Sequence, residues 1–311
     1  MIASTEDAAA DAPLLELESA RIRQQGALGA ELSVRSAGAL VVLIGDFSPL
    51  FALLSRSAEL YAGVARVNGT SAELAVQSGA VGLARADARL PPDWTPERYL
   101  TESAELSGMS RRETARAVEE ALARFELTRE ARRKLVDFAV PFRRVLLLAH
   151  ATLGAPRALA VDDLFGGVDA GAQAYLASAL ERAAAGRPLL VGVRGVSGGG
   201  PERLLVERAS SVIVERGGHV SLTAPEAVLG AGTRYAALVT HSGDEFASRL
   251  LAAGIASVRT PANVSLLGFT PRDPAAVGRF VFDLPEDKTP ADVVRAAHEA
   301  GAPLVELVRE G

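Results

Sequence analysis

Two adjacent carboxylates close one apolar run of this sequence, and their type and place point to chemistry. The run is Ala158-Leu159-Ala160-Val161; Asp162 and Asp163 follow it, then a Gly166-Gly167 turn and a further acid, Asp169. An uninterrupted apolar run of this length reads as a parallel strand buried on both faces. Open α/β sheets bind ligands beyond the carboxyl ends of their strands, so acids placed there face a site. The plainer account is a strand that runs into a polar turn.

Ser48, in the turn Gly45-Asp46-Phe47-Ser48-Pro49, stands where a nucleophile on an elbow would. No histidine follows it in the order an α/β-hydrolase needs. Val196-Ser197-Gly198-Gly199-Gly200 follows a strand and reads as a flexible loop. The chain has no cysteine, which excludes disulfide partners, thiol catalysis and cysteine metal sites. Its four histidines, His150, His219, His241 and His298, are scattered.

The elements that must position these residues follow from the pattern. Residues 1–12, acidic and without an apolar core, read as a disordered tail and not as a secretion signal. Strand-like runs follow at Leu14–Glu18, Ala30–Val34 and Ala39–Ile44. Then come a helix over Leu50–Tyr61 and strands at Val64–Asn68 and Ala80–Ala84. Thr95–His150 reads as helical throughout, with Ser110 and Glu113 spaced as a capping box. Beyond the Ala158 strand, Gly171–Ala185 is helical, and Pro188–Val193 and Ser211–Glu215 are strands. Such an order implies a mainly parallel sheet with an inserted helical subdomain. After a boundary near Gly230 to Thr233, two β-α-β halves imply a small ferredoxin-like α+β domain. Their strands are Tyr235–Val239, Ser257–Thr260, Arg279–Leu284 and Leu304–Val308, their helices Asp244–Ala253 and Ala291–Ala300, and an extra strand is expected at Val264–Phe269.

Of the 311 residues, 49% are hydrophobic and 23% charged, ample for a core. A net charge of −5 supplies no positive field for nucleic acid. No apolar run reaches the roughly 18 residues of a membrane span, and the cytoplasm is the expected location. The basic runs Arg111-Arg112, Arg132-Arg133-Lys134 and Arg143-Arg144 read as solvated helix faces.

From about Pro13 to Leu229 the chain resembles the ATP-binding subunit of an ABC transporter, in the style of the bacterial export and gliding-motility type. Residues 95–127, TPERYLTESAELSGMSRRETARAVEEALARFEL, resemble that family's helical subdomain. Residues 146–169, LLLAHATLGAPRALAVDDLFGGVD, resemble its second nucleotide motif and the acidic loop after it. Residues 210–229, SSVIVERGGHVSLTAPEAVL, resemble its closing strand pair and helix. The resemblance implies a P-loop NTPase-like ABC cassette over residues 13–230: a mostly parallel sheet, an antiparallel N-terminal β subdomain and a helical subdomain over about 95–150. A C-terminal accessory domain spans 231–311.

The departures from the family matter more. Its phosphate loop reads G-x-x-x-x-G-K-[ST], with glycines that open backbone N–H groups to phosphate, a lysine that pairs with it and a hydroxyl on magnesium. Here Gly45 alone survives; Phe51 stands at the lysine, Ala52 at the hydroxyl and Leu50 at the last glycine, while Ser48-Pro49 removes a donor. Each lost charge-assisted contact costs about 1.5–3 kcal/mol, so several amount to roughly a thousandfold in affinity or more. The signature that contacts a partner's phosphates aligns with Phe138-Ala139-Val140-Pro141, so Ala139, Val140 and Pro141 form a degenerate signature. The family's glutamine aligns near Ala86, its switch histidine with Arg194, its adenine-stacking aromatic near Arg23 or Gln24, and its catalytic glutamate with Asp163, one methylene shorter. Asp162 and Asp169 keep their places, as residual magnesium and dimer contacts or as turn scaffold.

What the resemblance then implies is a noncatalytic cassette with no cofactor, scaffold or regulator of a transporter, paired with an intact cassette subunit or with itself as a dimer. A cognate membrane subunit would hold it peripherally at the inner face of the membrane. Two alternatives stay open at this point. One is a weakly active ABC-type ATPase that holds ATP and Mg2+ through other residues; the other is a homodimeric structural protein outside transport.

Overall fold

The computed structural model describes residues 13–36, 38–196, 200–229, 233–260, 278–285 and 288–309. The chain divides into two compact units, the first reaching Pro225 and the second running from Glu226. In chain order the first holds β1 (Leu15–Gln24), β2 (Ala27–Leu28), β3 (Leu32–Ser36), β4 (Leu40–Ile44), α1 (Ser48–Leu54), β5 (Glu59–Val67), β6 (Thr70–Ser71), α2 (Ala72–Ala75) and β7 (Val81–Arg85). It continues with α3 (Pro96–Leu106), α4 (Arg111–Arg124), α5 (Val140–Ala151), β8 (Ala158–Asp162), α6 (Ala170–Ala184), β9 (Leu189–Val193), α7 (Pro201–Arg208), β10 (Ser211–Arg216) and β11 (His219–Thr223).

The six-stranded sheet runs β11-β10-β4-β9-β8-β7, parallel throughout except for the β10–β11 edge. Its central strands β8 and β9 are buried at every position, as their unbroken apolar sequences require. The parallel register brings Ile44, Asp162, Val193 and Val214 to one end of the sheet, where each strand feeds a loop. A second sheet, antiparallel, orders β2-β1-β5-β6 with β3 also on β1. Between the two sheets lies α1, with Leu50, Phe51, Ala52, Leu53 and Leu54 all buried. A helix apolar all round must be buried all round.

The long helix expected over Leu50–Tyr61 is a correction. Helix α1 ends at Leu54, because Arg56 takes a left-handed backbone (φ 59°) and the Ser55 and Ser57 hydroxyls both donate to the Ala52 carbonyl. Glu59 then opens a strand. The alternation of its exposed and inward positions was a period-two signal beneath an apparent helical one. Thr95–His150 is likewise not one helical stretch. Three helices are separated by the Ser110 capping box and by residues 125–139, where Glu126 is left-handed (φ 59°) and the Leu127 N–H returns to the Leu122 carbonyl. That is a Schellman-type stop, with Pro141 preset for the first turn of α5.

The second unit contains α8 (Pro225–Leu229, one residue of which belongs to the first), β12 (Thr233–Val239), α9 (Gly243–Ala252), β13 (Ser257–Thr260), β14 (Gly278–Leu284), α10 (Pro290–Glu299) and β15 (Leu304–Arg309). The sheet order β13-β14-β12-β15, antiparallel at every pair, is the ferredoxin-like arrangement that two β-α-β halves generate. Phe246, Leu250, Phe280, Phe282 and Val293 form its core, and Thr289 with Asp292 caps α10. The extra strand expected at Val264–Phe269 lies outside the described residues. Among the described residues no helix is long and apolar enough to cross a membrane.

Candidate functional site

The carboxyl ends of β4, β7, β8, β9 and β10 carry Gly45-Asp46, Arg85, Asp162-Asp163, Arg194 and Glu215, in that order. The loop between β4 and α1 is the centre of this end of the sheet. Gly45 has φ 118°, and its N–H donates to the Val193 carbonyl at 3.0 Å. A Cβ at Gly45 would sit 2.7 Å from the Glu215 carbonyl oxygen, so glycine is needed both for the angle and for the close passage of β10. Gly45→Ala is therefore expected to destabilise the chain by about 2–4 kcal/mol, a left-handed penalty plus an overlap. Chemical denaturation reads this directly, and a loss under about 1 kcal/mol would mean the loop has another backbone path.

The Asp46 carboxylate, exposed to solvent, bonds back onto the loop. Its Oδ1 accepts from the Ser48 N–H at 3.2 Å, the Ser48 hydroxyl at 2.6 Å and the Arg194 Nη1 at 2.7 Å. The Ser48 hydroxyl bond and the Arg194 guanidinium outweigh partial burial and hold this carboxyl below its ordinary range. The Asp46 N–H donates in turn to Glu215 Oε2 at 3.2 Å, and Glu215 Oε1 accepts from the Gly218 N–H at 2.8 Å. Ser48 is thus a turn residue bonded to Asp46.

Phe51, at the position of the family's lysine, is fully buried. Its ring lies against Gly192 of β9, where a Cβ would come within 2.6 Å of the ring and 3.2 Å of Asp162 Oδ1. Ala52 is buried beside it. Asp162 is 8% exposed; burial pushes its carboxyl up to about 6, against the opposing pull of Arg194 and Arg85. Asp163 takes a left-handed backbone (φ 50°), donates its N–H to the Gly192 carbonyl at 3.0 Å and folds its carboxylate against Gly166. Desolvation pulls the Arg194 guanidinium down, but Asp46, Asp162 and Asp163 around it raise it on balance.

Asp169 lies apart from this cluster in role. Its Oδ1 accepts from the Ala172 N–H at 2.9 Å and caps α6, which is the turn-scaffold reading of that acid. Arg144 departs from the expected solvated face: it is partly buried and donates to the Leu164 carbonyl at 2.9 Å, next to Asp163, and desolvation lowers it. At the degenerate signature, exposed Ala139 precedes α5 with no side-chain cap, and Val140 and Pro141 form its first turn. Arg23 stacks on Tyr61 at 4.3 Å and pairs with Glu59 at 2.8 Å, while Gln24 ends β1. The Ala86 N–H donates to the Asp162 carbonyl. The Val196–Gly200 loop falls largely on residues 197–199, outside the described residues.

Among the described residues no group of three or more His, Asp and Glu is placed to hold a metal ion. Asp162 has the carboxylates of Asp163 and Asp87 and the guanidinium groups of Arg194 and Arg85 near it. Sequence reading missed Glu215, Arg85 and Arg144. Glu215 and Arg85 were findable in principle, because each lies at or next to the carboxyl end of its strand, where sites form. Arg144 sits mid-helix in a basic pair, and only packing distinguishes it from a solvated residue.

No family model matches the sequence, and no curated protein does. Among solved structures, an ATP-binding subunit of an ABC transporter is similar at 19% identity over 69% of this chain and 91% of the other, with a TM-score of 0.55. The ADP conformation of an ATP-binding cassette of an ABC transporter is similar at 15% identity over 70% of this chain and 93% of the other, with the same TM-score. So is cbiO1 from Clostridium perfringens, part of the ABC transporter complex cbiONQ, at 14% identity over 70% of this chain and 90% of the other, TM-score 0.55. At these identities the likeness is one of fold: the chain has the mixed α/β architecture of an ABC cassette.

Proposed function

We propose that this chain is a noncatalytic cassette-like subunit of an ABC transporter complex, a scaffold or regulator that works beside an intact cassette, a membrane subunit or both. One observation carries the reading. In the β4–α1 loop, Asp46 and Glu215 take up the donors a phosphate would need, and buried Phe51 fills the position of the phosphate-binding lysine. The residues present do not fit magnesium-bound ATP, because a second anion there would meet two carboxylates at close range and an apolar ring. The signature position has also lost its hydroxyl, since Ala139, Val140 and Pro141 offer no side-chain donor.

The partner half of the proposal rests on fold likeness to ATP-binding subunits of ABC transporters and on surface chemistry. Val136, Val140 and Phe142 are exposed apolar residues within seven positions of one another around the start of α5, an apolar patch where a partner would bury surface. Such a subunit works in the cytoplasm and reaches the membrane through its partner.

Calorimetry of the purified chain with millimolar ATP and Mg2+ tests the noncatalytic reading. The expected result is no saturable heat and no shift of the melting transition. Saturable binding in the micromolar range, followed by turnover, would overturn it and restore the weak ATPase. Co-purification with a multi-span membrane protein or an intact cassette, lost in Val140→Asp or Phe142→Asp, tests the partner half.

A further inference from the structure

We propose that this chain carries a binding site at the amino ends of β7 and β8, for a small organic monoanion with an apolar body, such as an aryl or branched aliphatic carboxylate. A cavity of about 660 Å³ lies there, and none of the residues at the carboxyl end of the sheet lines it. Its floor is apolar: Val81 of β7, Ala121 of α4 and Ala151 of α5 are all buried. Gly82 lets α5 press onto β7, since a Cβ there would overlap the Ala151 carbonyl. The turn between α3 and α4, residues 107–109, and residues 152–156 after α5 complete the walls. Small-molecule sites commonly measure about 300–1,000 Å³, so this one has room for such a ligand.

The polar groups of the lining divide into engaged acceptors and unengaged donors. Arg124, in the last turn of α4, has no carboxylate or hydrogen-bond partner among the described residues. Arg187, between α6 and β9, gives Nη1 to the Ala183 carbonyl at 3.0 Å and has no carboxylate partner among them either. The His150 imidazole packs on Tyr99 with ring centroids 5.4 Å apart and makes no hydrogen bond to any described residue. Burial holds it below its ordinary value, so near neutrality it is an uncharged ring with one donor and one acceptor to offer. The acids are already in use: Glu113 accepts from the Ser110 N–H at 2.8 Å, and Glu120 from Arg116 Nε at 2.7 Å. With Glu120 paired, two guanidinium groups stand against the lone charge of Glu113, a balance that suits a monoanion and disfavours a polyanion. Either arginine alone would be an ordinary solvated side chain. Both of them, beside an unpaired imidazole and over an apolar floor, form the combination that recognises a carboxylate on an apolar body.

The test titrates naphthoate and its uncharged counterpart naphthamide into the full chain, with calorimetry and saturation-transfer NMR as readouts. Naphthoate is expected to bind saturably at about millimolar or tighter, and naphthamide at least about tenfold more weakly, the worth of one charge-assisted contact. Arg124→Met combined with Arg187→Met keeps two apolar stems on the surface and removes both charges, so the preference for the acid should vanish in a chain that still folds. Ala117→Phe, which fills the cavity from α4, should weaken acid and amide alike. Melting curves show which variants are folded. Inorganic phosphate should leave bound naphthoate in place. A silent parent chain, equal binding of acid and amide, displacement by phosphate, or a preference that survives in the folded arginine variant would each overturn the inference. The phosphate loop lies at the opposite, carboxyl end of the sheet, so this site and the noncatalytic reading stand or fall separately.

Discussion

Phe51→Ala is expected to lower the unfolding free energy by about 3–5 kcal/mol, the usual cost of emptying a fully buried phenylalanine site. The ring belongs to the core that joins α1 to both sheets, with Leu50, Leu53, Val41 and Leu190 in the same cluster. Gly192, against which the ring packs, has no side chain of its own to fill the space. Phe51→Lys restores the family's charge without restoring its site. The new ammonium would lie close to Asp162, and the loop donors would still be held by Asp46 and Glu215. It is expected to lose stability and to gain no ATP binding, read by denaturant titration and calorimetry on the same preparation. A loss under about 1 kcal/mol for Phe51→Ala would mean that the ring is not the packing element described here.

Asp162 sets an unusual pH dependence. Its carboxyl is raised from 3.8 to about 6 by burial, so between about pH 4 and pH 6 the folded chain holds a proton that the unfolded chain has released. The sign follows: stability is greatest below the unfolded value and declines as pH rises through the folded one, by about 3 kcal/mol in all at roughly 1.4 kcal/mol per unit. Asp162→Asn, which mimics the protonated form, should flatten that decline and stabilise the chain near neutrality. The carboxyls of Asp46, Glu113 and Asp292 are shifted the other way, chiefly by bonds from Ser48, Ser110 and Thr289. Their contributions are lost as pH falls, below the window in which Asp162 titrates. Thermal unfolding at pH 5 and pH 7.5, for the parent and Asp162→Asn, separates the two. An equal response of both proteins to pH would show that Asp162 is charged throughout.

Much of the architecture was legible because its signals are long and redundant. The apolar runs of β4, β8 and β9 could only be buried strands, and their order with the intervening helices left a parallel sheet as the economical solution. The C-terminal sheet followed from two β-α-β halves in the same way. Boundaries were harder. The stop after Leu54 depends on Arg56 adopting a left-handed angle that its residue type does not announce, and Ser55 and Ser57 bonds to one carbonyl reinforce it. In the candidate site, Asp46, Ser48, Phe51, Asp162, Asp163 and Arg194 were all named from sequence, and the chain does gather them at one sheet edge. What sequence could not give was the direction of their side chains. Asp46 reads as an added negative charge near a ligand; its bonds to Ser48 and Arg194 make it a structural part of the loop. The bond from the Asp46 N–H to Glu215 was invisible, because the two residues lie 169 positions apart.

The internal bonding of the β4–α1 loop bears on how this protein persists in a cell. A protein whose loop is completed by a diffusible ligand gains stability by mass action, RT ln(1 + [L]/Kd), and its unfolded fraction rises whenever the ligand pool falls. With Asp46, Ser48, Arg194 and Glu215 bonded to one another, this loop is ordered without such a ligand. On the noncatalytic reading its order is set by sequence, temperature and pH, and its lifetime against proteases is expected not to follow the pool of small anions.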